Sequence, residues 1–405
     1  MGWLYTKWWK WLCVVLLFYV VIGGMIVPLA PGIPNVSPLT FKPDTLQTFT
    51  ITGYNTHFTS PQAGKVQLWF KNGPDFYCPD SITIVNDNTI EAKFAVGAWQ
   101  QDSFTRSNFD VVVNNDVDGT FALREAVTLI KNEIAVASID TTAQINGDTV
   151  ESSYKWMDIT EEQAKALKEK NGISTNVVFV PNYEAKKCTP SVNTDKHSLF
   201  VFPYREILYE SVRNTFYHVP MWFIMTTMVL FSLGFSIAYL MTSKPQYDIY
   251  ASSAVYVALL AGVCGYATGM IWSKYTWFIG MGWGPAIRNM AFQDIKLSGA
   301  LISVAAYAAY LVLRGSITDE IKRARISAVY NIFAVVIFMM FVFIVPRMMD
   351  SLHPGNGGNP AFSKYDLDSH LRMFFYPASI GWIILGFWIL SIIIRIKLIE
   401  QKREQ

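Results

Sequence analysis

Two kinds of hydrophobic pattern divide this chain. Six long apolar runs, at 11–28, 222–241, 250–272, 297–313, 326–345 and 373–394, carry no acid or base in their middle. A helix crosses the hydrocarbon core with about 20 mostly apolar residues, so each run predicts a membrane-spanning helix. The lack of central charges argues against a proton relay or buried ion path.

Between the first and second runs the pattern changes to period two. "LQTFTITG", "KVQLWFKN", "SITIVNDNTIEAKFAV" and "NFDVVVNND" alternate apolar and polar residues between Gly, Pro and Asn-Asp turns. Such runs read as short strands, with "VNDNTI" as a hairpin connection. Their number and spacing predict an Ig-like β-sandwich over 43–137. Thr160 and Gln163 form a capping box ahead of "EEQAKALKEK", and Gly172 stops that helix. "NVVFVP" predicts one more strand. The expected organisation is an N-terminal membrane anchor (1–31), a β-rich domain (32–204) and a five-helix membrane domain with a C-terminal tail (205–405). The fold class is therefore a polytopic α-helical membrane protein with a mainly β domain inserted between helices one and two.

Composition agrees with a membrane protein: 52% of residues are hydrophobic and 16% charged. Nothing in it points to nucleic acid. Lysine and arginine near the span ends set the expected orientation. Lys7 and Lys10 precede the first span, and Lys244 separates the second and third. Arg314, Lys322, Arg323 and Arg325 separate the fourth and fifth. Arg395, Lys397, Lys402 and Arg403 follow the sixth. Both termini are then cytoplasmic and the β-rich domain is outside. The first span has a basic flank, but its apolar core exceeds a signal peptide's ~7–15 residues, so it reads as an uncleaved anchor. Of the four cysteines, Cys13 and Cys264 lie in spans and read as packing residues. Cys78 and Cys188 share the outer domain, where they are either bridged or free. No CxxC or CxxCH occurs, which excludes a thioredoxin-like motif and covalent c-type haem attachment.

The outward-facing ends of the membrane part carry the candidate chemistry. His218 opens the second span and His353 follows the fifth, in a protein with only five histidines. Two imidazoles can ligate one haem iron from opposite faces. Trp272, Trp277, Trp283 and Phe292 lie in the loop after the third span, where they can pack on a porphyrin or form an interfacial belt. The residues alone leave both readings open, because an interfacial histidine is often simply hydrated.

Four stretches carry a family resemblance: "FYHVPMWF", "ATGMIWSKYTW", "FQDIKLSGALISVAAYAAYLVL" and "RARISAVYNIFAVV…DSLHPG". Over 204–394 the chain resembles the six-span haem-handling component of cytochrome c biogenesis (the CcmC/CcsA-like cytochrome c assembly family). That family has an external His before its second span, a Trp-rich loop closed by an acid before the fourth, and an external His-x-Gly after the fifth. His218, Asp294 and His353 match these in order. The resemblance implies non-covalent haem b held by His218 and His353 on its iron, with Trp272, Trp277, Trp283, Phe292 and Asp294 around it. It also implies presentation at the outer face of a bacterial inner membrane. The recipient would be a periplasmic haem chaperone or apocytochrome c, alongside other maturation subunits, with no catalysis of its own required. Arg288, Lys296, Arg347 and Arg372 are candidate partners for the propionates. Two features differ from the pattern: Phe292 and Gln293 stand where tryptophan is expected, and the domain between spans one and two is large. The rival reading is a membrane-anchored structural or receptor protein that displays its β-sandwich without haem. A small-molecule permease fits poorly, since discontinuous-helix signals are lacking.

Overall fold

The computed structural model describes residues 7–41, 45–96, 106–130, 144–145, 148–149, 187–190, 201–205, 208–349 and 367–404. His353, His197, the helix expected after Thr160 and the "NVVFVP" strand lie outside the described residues. The chain divides into two compact units.

The first unit is helical. Its elements are α1 (Trp8–Ile26), α2 (Thr215–Thr242), α3 (Pro245–Thr276), the short α4 (Trp283–Gln293), α5 (Ile295–Gly315), α6 (Glu320–Met339) and α7 (Ser369–Glu404). α6 continues through a π-helical turn (Met340–Ile344) into a last α turn (Val345–Met348). Among the described residues, six helices are long and apolar enough to cross a membrane, α4 being the short exception. Most reach beyond the predicted runs. Hydropathy marks the apolar centre of a span, whereas a helix continues until a breaker or cap ends it. α3, for instance, starts where Pro245 occupies the first turn, a position that needs no N–H partner.

Packing within this unit relies on small residues. The α3 face toward α2 buries Ala251, Ala254, Ala258, Ala261, Gly262, Gly265 and Gly269, the small-residue stripe that lets helices approach in lipid. Met225, Met228, Tyr307, Tyr310 and Phe338 fill the core around it. Asn331 of α6 donates to Ser232 Oγ and Ser236 Oγ of α2 at 2.8 and 2.9 Å, and Ser232 donates to Ala251 O. α1 lies along α7, where Cys13 Sγ donates to Gly381 O at 3.4 Å. A Cβ at Gly381 would stand 3.1 Å from Leu16 Cβ.

Prolines inside the helices are accommodated by neighbours. Pro220 has no N–H, so it leaves the carbonyl of Phe216, four residues earlier, without its helical donor. Trp382 Nε1 of α7 donates to that carbonyl at 3.1 Å. Pro377 of α7 similarly leaves Met373 O, which the Tyr19 hydroxyl approaches at 3.4 Å. Backbone groups in lipid must find partners within the protein, and here side chains supply them.

The second unit is a β region of two mainly antiparallel sheets. One has the order β1-β3-β7-β6, with β1 (Gly32–Ser37), β3 (Thr45–Tyr54), β6 (Ser81–Asn86) and β7 (Thr89–Val96). The other has the order β2-β9-β8-β4-β5, with β2 (Thr40–Phe41), β4 (Gln67–Asn72), β5 (Asp75–Tyr77), β8 (Arg106–Asn115) and β9 (Gly119–Ile130). Only β2–β9 is parallel among the pairs of these two sheets. The short β10 (Gln144–Ile145) and β11 (Asp148–Thr149) pair separately. The β6–β7 hairpin turns at Asp87 and Asn88, as "VNDNTI" predicts, and pairs Asn86 with Thr89.

Alternation places Phe49 and Ile51, Ile90 and Phe94, and Phe109, Val111 and Val113 in one core drawn from both sheets. Phe70 stacks on Phe94 at 3.9 Å there. Cys78 and Cys188 are bridged, with Cα atoms 5.9 Å apart. Beside them Cys188 N donates to Phe76 O at 3.0 Å, and Lys187 pairs with Asp75 at 3.1 Å. This short segment is thus tied to the β5 edge by a covalent bond, a hydrogen bond and an ion pair.

Candidate functional site

A cavity of about 190 Å³ opens among α2, α3, α5 and the π-helical end of α6. Helical periodicity explains which residues reach it. His218, Trp222 and Thr226 stand at i, i+4 and i+8 on α2, with Val219 and Phe223 beside them, so they share one face. α3 contributes Gly265 and Tyr266, and α5 contributes Lys296, Leu297 and Ala300. The far wall is Phe341, Val342, Phe343, Pro346 and Arg347. π-helical turns in an α-helix are common at functional sites. The carbonyl of Phe341 there stands close against Gly299 of α5, where a Cβ would collide with it.

His218 is held by α3. Its Nδ1 lies 3.1 Å from Thr268 Oγ1. The Thr268 hydroxyl has its own acceptors one turn back, Cys264 O at 2.8 Å and Gly265 O at 3.0 Å. With that proton donated to the backbone, Oγ1 is placed to accept from Nδ1–H. A neutral imidazole in that tautomer would carry its lone pair on Nε2, the arrangement by which a hydrogen bond on one ring nitrogen prepares the other for a metal. Gly269 makes the approach possible, since a Cβ there would stand 2.8 Å from His218 Cε1. Trp222 meets the imidazole edge-on at 6.4 Å between ring centres.

Lys296 and Arg347 bring two positive charges to a cavity whose walls are otherwise largely apolar. Asp294 fixes the start of α5 beneath Lys296. Its carboxylate accepts from Lys296 N at 3.0 Å and Leu297 N at 3.1 Å. It is the N-cap of α5 and only 2% exposed. Asp294 therefore shapes the site through the helix that carries Lys296 and does not itself line the cavity.

The expected aromatic residues are distributed differently. Trp272 and Trp277 pack edge-on at 5.0 Å, and Trp272 Nε1 donates to Ser211 Oγ at 3.1 Å. Trp277 packs on a small cluster with Phe278 and Met290. Trp283, 47% exposed, begins α4 with Lys274 Nζ 5.7 Å from its ring. Phe292 is 82% exposed. None of these four lines the cavity; its aromatic wall comes from Trp222, Phe223, Tyr266, Phe341 and Phe343. Of the candidate cations, Lys296 and Arg347 reach the cavity, whereas Arg288 and Arg372 do not line it. Among the described residues no group of three or more His, Cys, Asp or Glu is clustered to hold a metal ion.

Sequence reasoning missed Thr268 and Gly269 as partners of His218. The signal was present as the small-residue spacing Gly265-x-x-x-Gly269, which marks where two helices come closest. Neither a protein-family model nor a curated protein matches the chain.

Proposed function

We propose that the helical unit binds haem b at the His218 cavity and presents it for cytochrome c biogenesis. One observation carries this reading: an imidazole oriented by Thr268 shares an apolar cavity with two basic side chains. Haem has matching chemistry, with an iron that accepts imidazole, an apolar ring and two anionic propionates. The residues fit the cargo in kind. His218 Nε2 is the ligating atom, Trp222, Tyr266 and Phe341 contact the ring, and Lys296 and Arg347 attract the propionates. A cavity of about 190 Å³ is smaller than the ~300–1,000 Å³ of sites that enclose a drug-sized ligand. That size favours a macrocycle presented at an opening over one sealed inside, and suits transfer to a periplasmic haem chaperone or apocytochrome c.

His353 is the second iron ligand in this proposal, on the strength of the family resemblance. Arg347, six residues before it, already lines the cavity. The protein's own part is to bind, orient and release; ligand exchange at iron needs no further catalyst from the chain.

The β region is read as an Ig-like sandwich on the outer face of a bacterial inner membrane. Its orders β1-β3-β7-β6 and β2-β9-β8-β4-β5 correspond to the ABED and GFC sheets of that fold with added edge strands. The Cys78–Cys188 bridge departs from the inter-sheet disulfide of antibody domains. Both termini are cytoplasmic in this reading, which labelling of Lys402 from each side of the membrane checks.

Absorbance of the purified protein titrated with haem tests the function. A saturable Soret band with one equivalent of pyridine haemochrome supports it. No band would favour the rival, a receptor-like protein whose independent, disulfide-tied β unit meets a partner without haem.

A further inference from the structure

Three ionised side chains meet where α3 begins and α5 and α7 approach their ends. Asp248, in the first turn of α3, accepts from both terminal nitrogens of Arg314 of α5 at 2.8 and 2.6 Å. The two side chains are each 14% exposed. This two-point pairing occupies both carboxylate oxygens. Lys397 of α7 reaches the same region. Its Nζ lies 3.0 Å from Ser252 Oγ, one helical turn along α3 from Asp248, and 4.5 Å from the centre of the Tyr256 ring.

Two carboxylates, Asp248 and Glu400, stand near Lys397 against three cations, Arg314, Arg323 and Lys397 itself, and Lys397 has a hydroxyl and an aromatic face as its direct contacts. Both contacts are favourable for an ammonium, but neither carries a negative charge. A lysine near a helix end in lipid ordinarily extends toward water. Lys397 instead turns toward α3, and Ser252 is fully buried while Tyr256 is exposed. The ammonium therefore sits at the boundary between the bundle interior and its outer surface. Arg395, Lys402 and Arg403 of the same helix add positive charge at this end, against Glu400 and Glu404.

We propose that the notch between α3 and α7 at Lys397 binds the phosphate of an anionic phospholipid headgroup. Charge complementarity selects an anion, and the surplus positive charge matches a monoanionic phosphodiester. Lys397 would pair with the phosphate, with Ser252 as a neighbouring hydroxyl and the exposed Tyr256 ring as the lipid-side rim. Basic clefts between membrane helices at an interface recognise lipid headgroups on these grounds. The site is separate from the His218 cavity and does not depend on haem.

Native mass spectrometry of the full-length protein in detergent tests it. Titration with phosphatidylglycerol should yield one retained lipid in preference to phosphatidylcholine. Lys397→Met should weaken that preference about five-fold, the effect of one basic side chain near anionic lipid. Lys397→Arg and Lys402→Gln should keep it. Should Lys397→Met fail to fold, Ser252→Ala serves in its place and should also weaken retention. Equal retention of the two lipids by the wild type, or undiminished preference in Lys397→Met or its Ser252→Ala substitute, would overturn the proposal. Displacement of the lipid by millimolar inorganic phosphate would overturn it too, by showing a site for free anions.

Discussion

Thr268 Oγ1 lies 3.1 Å from Nδ1 of His218 and holds the imidazole from the neighbouring helix. In the proposed haem site this contact, with the threonine hydroxyl placed to donate to the carbonyls of Cys264 and Gly265, would leave Nε2 for the iron. Thr268→Val keeps the shape and removes the acceptor. Loss of such an orienting hydrogen bond costs roughly 10–100-fold in metal affinity. Haem titration should show a drop of that order in Thr268→Val and near-normal binding in Thr268→Ser. Equal affinity in all three would mean that the hydroxyl does not orient the ligand.

Gly269 separates stability from binding. Alanine is favoured over glycine in a helix interior by about 1 kcal/mol, yet a Cβ here would press on His218 Cε1 at 2.8 Å. Gly269→Ala should therefore leave the helical unit as stable to heating as the wild type while weakening haem binding. A variant that binds haem normally would show that the ring has room to move.

Under the haem proposal, Lys296 and Arg347, which line the cavity, should favour a ligand with carboxylates. Haem dimethyl ester retains the ring and iron but lacks the propionate charges. The wild type should bind haem more tightly than its ester by about ten-fold or more, since hydrogen bonds involving charged groups contribute ~1.5–3 kcal/mol. A Lys296→Gln, Arg347→Gln double variant should bind both alike. Persistent discrimination in that variant would move the propionate partners elsewhere.

The β region should lose stability in acid partly through Asp87. The Thr59 hydroxyl and, second, the Thr59 N–H donate to its carboxylate and hold its pKa below the usual carboxylate range. A carboxyl depressed in the folded state contributes stability that is present above its unfolded value, about 4, and fades as pH falls through the lower folded value. Chemical denaturation followed from about pH 5 to pH 2 should show a smaller acid loss in Thr59→Val than in the wild type. Identical slopes would assign the loss to other carboxylates.

The six spans and the β6–β7 hairpin were legible because each rests on local periodicity. What was not legible depends on residues far apart in sequence. Nothing near Phe216 announces that Trp382 will replace the donor that Pro220 lacks. The Asp248–Arg314 pair joins positions 66 apart, and Lys397 fell beyond the apolar run that defined its helix. The aromatic residues that line the cavity were hard to read for a similar reason. Tryptophans in the loop after the third span attract attention by type, whereas Trp222, Tyr266 and Phe341 sit in spans where hydropathy cannot separate a cavity lining from core. Asp294 did have a local signature, an aspartate just ahead of a helix, and that is the role its hydrogen bonds show.

The most direct test of the haem proposal is the Soret spectrum of the His218→Gly protein titrated with haem, with and without added imidazole. The account predicts six-coordinate, low-spin haem in the wild type, weakened binding with an altered spectrum in the variant, and partial recovery when imidazole fills the vacant position. An unaltered low-spin spectrum and full affinity in His218→Gly would contradict it, because His218 would then not be the ligand around which this cavity is built.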